Sequence, residues 1–118
     1  MYKSIIEIMM MLDQYDLVLY FNDRMEAVTD DYVKTERDYS NHKIYERLKR
    51  NNAIKLLQVH ELFAFFVNNE KIIDTKIIEF FKDAIIGETE LIFKTYPEIA
   101  DNKTMVTELR KLLDSFKR

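Results

Sequence analysis

Few side chains in this chain are of types that do acid–base, nucleophilic or metal chemistry, and their spacing decides what they can do. The two histidines, His42 and His60, stand far apart. His60 is followed by Glu61, but the second histidine that a zinc-protease helix needs four residues on is missing, and no Glu-x-x-His pair occurs that would build a di-iron bundle. His42 and Glu46 are i, i+4 neighbours, which offers two ligands at a helix start, a poor site for a metal. The chain has no cysteine, so neither a thiolate site nor a disulfide is available. Ser4, Ser40 and Ser115 lack the glycine elbow of a serine nucleophile, and the single glycine excludes glycine-rich phosphate loops. Carboxylate pairs, Asp30 with Asp31 and Asp13 with Asp16, would do acid–base work only if buried, and they read as solvated surface charge. These patterns predict no catalytic residue, no metal and no cofactor.

Two constellations remain. Glu61 sits among Leu57, Val59, Leu62, Phe63, Phe65 and Phe66, the most apolar neighbourhood of the chain, and burial there requires a partner. The favoured reading is a carboxylate at the edge of the core, hydrogen-bonded to a neighbouring helix. The run from Lys43 to Arg50 places Lys43, Arg47 and Arg50 on one helical face, with Tyr39 and Tyr45 nearby, an arrangement able to grip phosphates. Glu46 and the net charge of −3 oppose that use and favour a solvated face. The acidic residues Asp30, Asp31, Glu36 and Asp38 are placed to pair with it across a helix junction.

The elements that must position these groups follow from periodicity. The 118 residues make one domain, 1–118, and 47% hydrophobic with 33% charged residues is a globular balance. One glycine and one proline leave almost no turn chemistry for β-hairpins, so an all-α fold follows. Ile54 to Phe66 is the stretch where apolar residues begin to surround the helix, which marks a central helix running from about Lys43 to Val67. A helix from Thr75 to about Thr95, capped by Asp74, forms the second arm of a hairpin and turns Ile77, Ile78, Phe81, Ala84, Ile85 and Ile92 inward. Gly87 within it marks either a close helix approach or an early end. Upstream, one helix is predicted from Ser4 to about Met25 and a second, solvated one within Asn22 to Lys43, with Ser40 or Asn41 capping the central helix. Downstream of Pro97, a last helix is capped by Asp101, Asn102 or Thr104, and Met105, Leu109, Leu112, Leu113 and Phe116 line its apolar side. Arg110, Lys111, Lys117 and Arg118 complement its negative end. The architecture predicted is a compact bundle of four to five helices around a central helical hairpin.

The amino-terminal stretch is membrane-like at first sight, but Glu7, Asp13 and Asp16 interrupt it well short of the about 20 apolar residues a spanning helix needs. It also lacks the small-residue cleavage site of a secretory signal. With no cysteine, the chain suits a reducing compartment, and the cytoplasm is the expected location. Met10, Tyr20 and Phe21 belong to an apolar stripe wider than one neighbouring helix buries, and seven Tyr with eight Phe are a heavy load for so small an interior.

The segment Leu57-Gln-Val-His-Glu61-Leu-Phe-Ala64, followed by Lys71-Ile-Ile-Asp74 and the helix from Ile77 to Ile86, resembles the helical hairpin of a bacterial and phage-associated family of unknown function. That pattern has Leu-Asn-aromatic-aromatic-Glu, a Gly-Ile-Ile-Asp turn and an apolar helix ending near a Trp. Here Gln58 stands for the Asn, His60 for an aromatic and Lys71 for the Gly, and no Trp is present. The resemblance covers residues 45–95 and implies a helical fold and no activity.

The reading that results is a small protein–protein interaction module of adaptor or inhibitor type, of phage or mobile-element character, acting as a homodimer through Met10, Tyr20 and Phe21. The alternative is a nucleic-acid-binding module using Lys43, Arg47 and Arg50. An enzyme ranks last, because no two candidate groups converge.

Overall fold

The computed structural model describes residues 9–38 and 42–117, with side chains except those of 36–38 and 42–44. Its elements are five helices, α1 (Gln14–Asp38), α2 (His42–Asn68), α3 (Thr75–Thr95), α4 (Pro97–Asp101) and α5 (Thr107–Phe116), with no strand among the described residues. The all-α bundle is as the composition requires.

α2 is the central helix. Leu56, Leu57, Leu62, Phe63, Ala64 and Phe66 are all buried, as the encircling apolar pattern predicts. Its backbone runs closest to α1 and α5 and lies farther from α3, so the expected hairpin partner is reached mainly through long side chains. Phe63 meets Phe81 of α3 at 5.0 Å and Phe21 of α1 at 5.4 Å, edge to face in the second case.

Among the described residues, one helix takes in both the end of the first predicted helix and the solvated second one. α1 starts at Gln14 because Asp13 Oδ1 accepts hydrogen bonds from the amides of Tyr15 and Asp16, both at 2.9 Å, which satisfies free donors of the first turn. From there Leu17, Phe21, Val28 and Thr35 keep one buried stripe, and the helix runs to Asp38. The polar stretch after Asn22 is the outer face of that same helix, where solvent accepts charge without interrupting the backbone. Residues 1–8, part of the predicted first helix, and the predicted caps Ser40 and Asn41 lie outside the described residues.

The connections work with almost no glycine. Glu70 adopts a left-handed φ of 59° after α2, and the amides of Lys71 and Ile72 turn back onto the carbonyl of Phe66. Asp74 then caps α3 as predicted, accepting from the Lys76 amide at 2.9 Å. Gln14 Oε1 accepts from the amides of Ile73 and Asp74, which ties the start of α1 to the start of α3.

Gly87 neither ends α3 nor marks a close approach. The helix continues to Thr95, and a Cβ at this position would meet no atom within 4 Å. Ala84 is exposed, and Phe81, Ile85, Thr89 and Ile92 form the buried face.

α5 begins at Thr107, its cap position two residues beyond Thr104. Its amino-terminal cap position is Val106, in a left-handed conformation at φ 47° with no side-chain cap of its own, while Asn102 Oδ1 is used by the Thr104 amide and hydroxyl. The first-turn amides of Glu108 and Leu109 donate instead to Glu61 on α2, at 3.3 and 2.6 Å. Arg110 therefore lies in the first half of α5 rather than its final turns. It donates from Nε to the Met105 carbonyl and from Nη2 to the carbonyls of Ile99, Ala100 and Asn102, which holds the strained turn closed.

Two changes test this account in urea unfolding. Gly87→Ala should stabilise the protein by about 1 kcal/mol, since only helix propensity changes at an open position. Glu61→Ala should destabilise it by about 2 kcal/mol, because α5 loses a charged cap supplied from another helix. A neutral Glu61→Ala would show that α5 docks without that cap.

Candidate partner-binding groove

Three helices create the site. α1 and α3 both pack on α2, run in the same direction and keep their backbones apart, leaving a groove between them. Its lower part, beside Asn22, Met25 and Phe80, and its upper part, beside Val33, Leu91 and Tyr96, are concavities of about 560 and 470 Å³ that share Thr29 and Glu88.

The rims are apolar and open to solvent. Phe80 is 72% exposed, Leu91 64% and Val33 58%, while Phe80 stands edge to face on the buried Phe81. On α1, Tyr15, Leu19, Asn22, Glu26 and Val33 recur at helical spacing on the side that faces the groove, and Tyr15 and Leu19 are also exposed. Three carboxylates line the groove, Glu26, Asp30 and Glu88, against one cation, Lys49, at its upper end.

Glu88 is the held charge among them. Its Oε2 lies 2.7 Å from His60 Nε2, and His60 is fully enclosed while the Glu88 side chain is 42% exposed. A carboxylate accepts, so Nε2 carries the proton and donates. Nδ1 of His60 is buried with no partner among the described residues. An imidazole paired with a carboxylate is the geometry of an acid–base dyad, but a ring without solvent exposure reaches no substrate. His60 therefore anchors Glu88 and joins α2 to α3.

Tyr32 and Tyr96 stand at the upper end. Burial, and then the neighbouring Tyr96 and Glu88, push the Tyr32 phenol up to about 12. Burial also raises Tyr96, with Lys49 opposing and Glu46 adding to the rise. The Tyr96 hydroxyl is enclosed without a hydrogen-bond partner among the described residues.

The residues singled out from sequence fall unevenly. Met10, 41% exposed, and Tyr20, 36% exposed, lie near the start of α1, but Phe21 is fully buried against Phe63 and Phe66 and belongs to the core. Its place in the apolar stripe could not separate core from surface, because the stripe is wide enough for both. Arg47 is exposed, Arg50 pairs with Glu98 at 3.3 Å, and the side chain of Lys43 lies outside the described ones. Glu46 and Glu98 line the same concavity as Arg47 and Arg50, so that surface is mixed in charge. Asp31 faces Lys55 at 3.9 Å rather than the basic run. Glu61 is the hydrogen-bonded carboxylate at the core's edge that its apolar neighbours implied.

Phe80, Leu91, Val33 and Glu88 were not singled out. The signal was present in α3, where Phe80, Ala84 and Leu91 form an apolar stripe beside the buried one of Phe81, Ile85 and Ile92.

An alkaline titration followed by phenolate absorbance checks the upper end of the groove. One tyrosine should ionise near 12 and be missing from the curve of Tyr32→Phe. Because this folded-state value lies above the ordinary 10, its contribution to stability is complete below pH 10 and is lost as pH rises through 12. A titration in which every tyrosine ionises near 10 would show Tyr32 solvated.

No family model, curated protein or solved structure matches the chain, so the geometry of the groove is what bears on its use.

Proposed function

We propose that this protein works by protein recognition through the surface that α1 and α3 form together. The observation that carries the reading is the gathering of exposed apolar side chains on one face: Tyr15, Leu19 and Val33 from α1, Phe80 and Leu91 from α3, with Ile73 at the turn beside them. Scattered apolar residues need no explanation, whereas a run of them along one groove has the character of an interface. Met10, Met11 and Tyr20 are further exposed apolar side chains near the start of α1. The mixed charge around Arg47 and Arg50 supports protein recognition over phosphate binding. No helix among the described residues is long and apolar enough to cross a membrane.

Site-specific photocrosslinking in the cell of origin tests the proposal. A photoreactive side chain at Leu91 or Val33 should give discrete protein adducts, and one at Lys103, on the α5 side, should not. Adduct mass separates a second copy from another protein. Equal labelling from both sides, or none from the groove, would count against the reading, and salt-sensitive retention of RNA or DNA lost on Arg47→Glu would replace it with phosphate binding.

A further inference from the structure

We propose that the α1/α3 groove takes a single amphipathic helix of a partner protein, seated on Val33, Phe80 and Leu91 and anchored by an arginine or lysine that pairs with Glu88. The inference rests on the α1/α3 face being the working surface, and it names the occupant.

Shape is the first argument. The lined part of the groove runs from Asn22 to Val33 on α1, which is about 17 Å, or three helical turns, at the usual rise per residue. Two parallel helices resting on a third offer a fourth rod an apolar seat of the kind that helix-in-groove recognition uses.

Charge is the second argument and selects the occupant. The carboxylates of Glu26, Asp30 and Glu88 lie along the groove, and Lys49 is the only cation lining it among the described residues. The complement is an apolar stripe edged with cations. A second copy of this chain is disfavoured, because apposing two such faces about a two-fold axis brings the carboxylates of one groove onto those of the other.

Glu88 is the specific anchor within that field. It belongs to both concavities and is tied through Oε2 to a fully enclosed imidazole, so its carboxylate is held in place before any partner arrives. It is also only part-exposed, so a cation docking there displaces less water than at an open rim and gains more from the pairing. Phe80 below and Leu91 above place apolar contacts on either side of that charge.

A display library of amphipathic helical peptides of about 16 residues, randomised among Arg, Lys, Glu, Gln and Ala beside a fixed apolar stripe, is selected on the immobilised full chain. Enriched peptides should carry Arg or Lys at one recurring position. Their affinity should fall about tenfold on Glu88→Gln, and more steeply on Phe80→Asp with Leu91→Asp. Glu26→Gln with Asp30→Asn, both on the surface, should weaken binding severalfold, and this pair carries the test if Glu88→Gln does not fold.

Enriched peptides without a recurring cation, or binding unchanged by Glu88→Gln and by the surface pair, would overturn the inference and leave the α1/α3 face standing as an interface. Binders indifferent to Phe80→Asp with Leu91→Asp, or no enrichment at all, would overturn the inference and count against the face as well. A dimer in light scattering that dissociates on Leu91→Asp would assign the groove to a second copy.

Discussion

Enclosing a helix on several sides is favourable only when the polar side chains it carries inward find partners, and α2 finds them on α1, α3 and α5. Asn52 donates to Thr35 of α1 at 3.1 Å, and the Thr35 hydroxyl in turn donates a hydrogen bond to the Asp31 carbonyl. His60 reaches Glu88 of α3, and Glu61 accepts from the first amides of α5. Asn68 adds bonds to the carbonyl and carboxylate of Glu108. A buried polar group left alone costs a few kcal/mol. The apolar contacts of Phe63 with Phe21 and Phe81 would tolerate small slips of one helix along another, whereas these polar contacts do not. They set which turn of each outer helix faces which turn of α2.

The groove is a consequence of that arrangement. α1 is held to α2 near Asn52 and to the start of α3 through Gln14, α3 is held near His60, and α5 fills the other side of α2, with Phe93 of α3 lying under Arg110 at 4.8 Å. Nothing in that set draws α1 and α3 together along their length. The space they leave is apolar at its rims because their inward stripes are broader than α2 alone covers. It is charged at its floor because the imidazole of His60 needs a carboxylate.

The strained points of the backbone serve the same end. A chain with one glycine, spent inside a helix, makes its two described left-handed turns with Glu70 and Val106. Such residues adopt this conformation only where the surroundings over-determine it. At Val106 the surroundings are Arg110, which donates to four carbonyls of α4 and the turn after it, and Glu61, which takes the amides that follow. The docking of α5 on α2 and the shape of the α4–α5 connection are therefore a single feature.

The helical class, the central place of α2 and the cap at Asp74 were legible in the residues alone, because each depends on neighbours within a few positions: the period of Leu56 to Phe66, the scarcity of Gly and Pro, an Asp before an apolar run. The hydrogen bonding of Glu61 to a neighbouring helix at the core's edge was legible too, since its flanking residues are apolar. The cap at Asp13 is a local signal of the same kind, whereas the polar composition after Asn22 reads as a boundary although it is only the outer face of one helix. What the tertiary structure alone decided is which helix supplies each distant partner and which pair of helices stays apart. Whether Phe21 points to the core and Phe80 to the groove depends on where other rods lie, and a helical stripe records its own direction but carries no mark of how many neighbours will cover it.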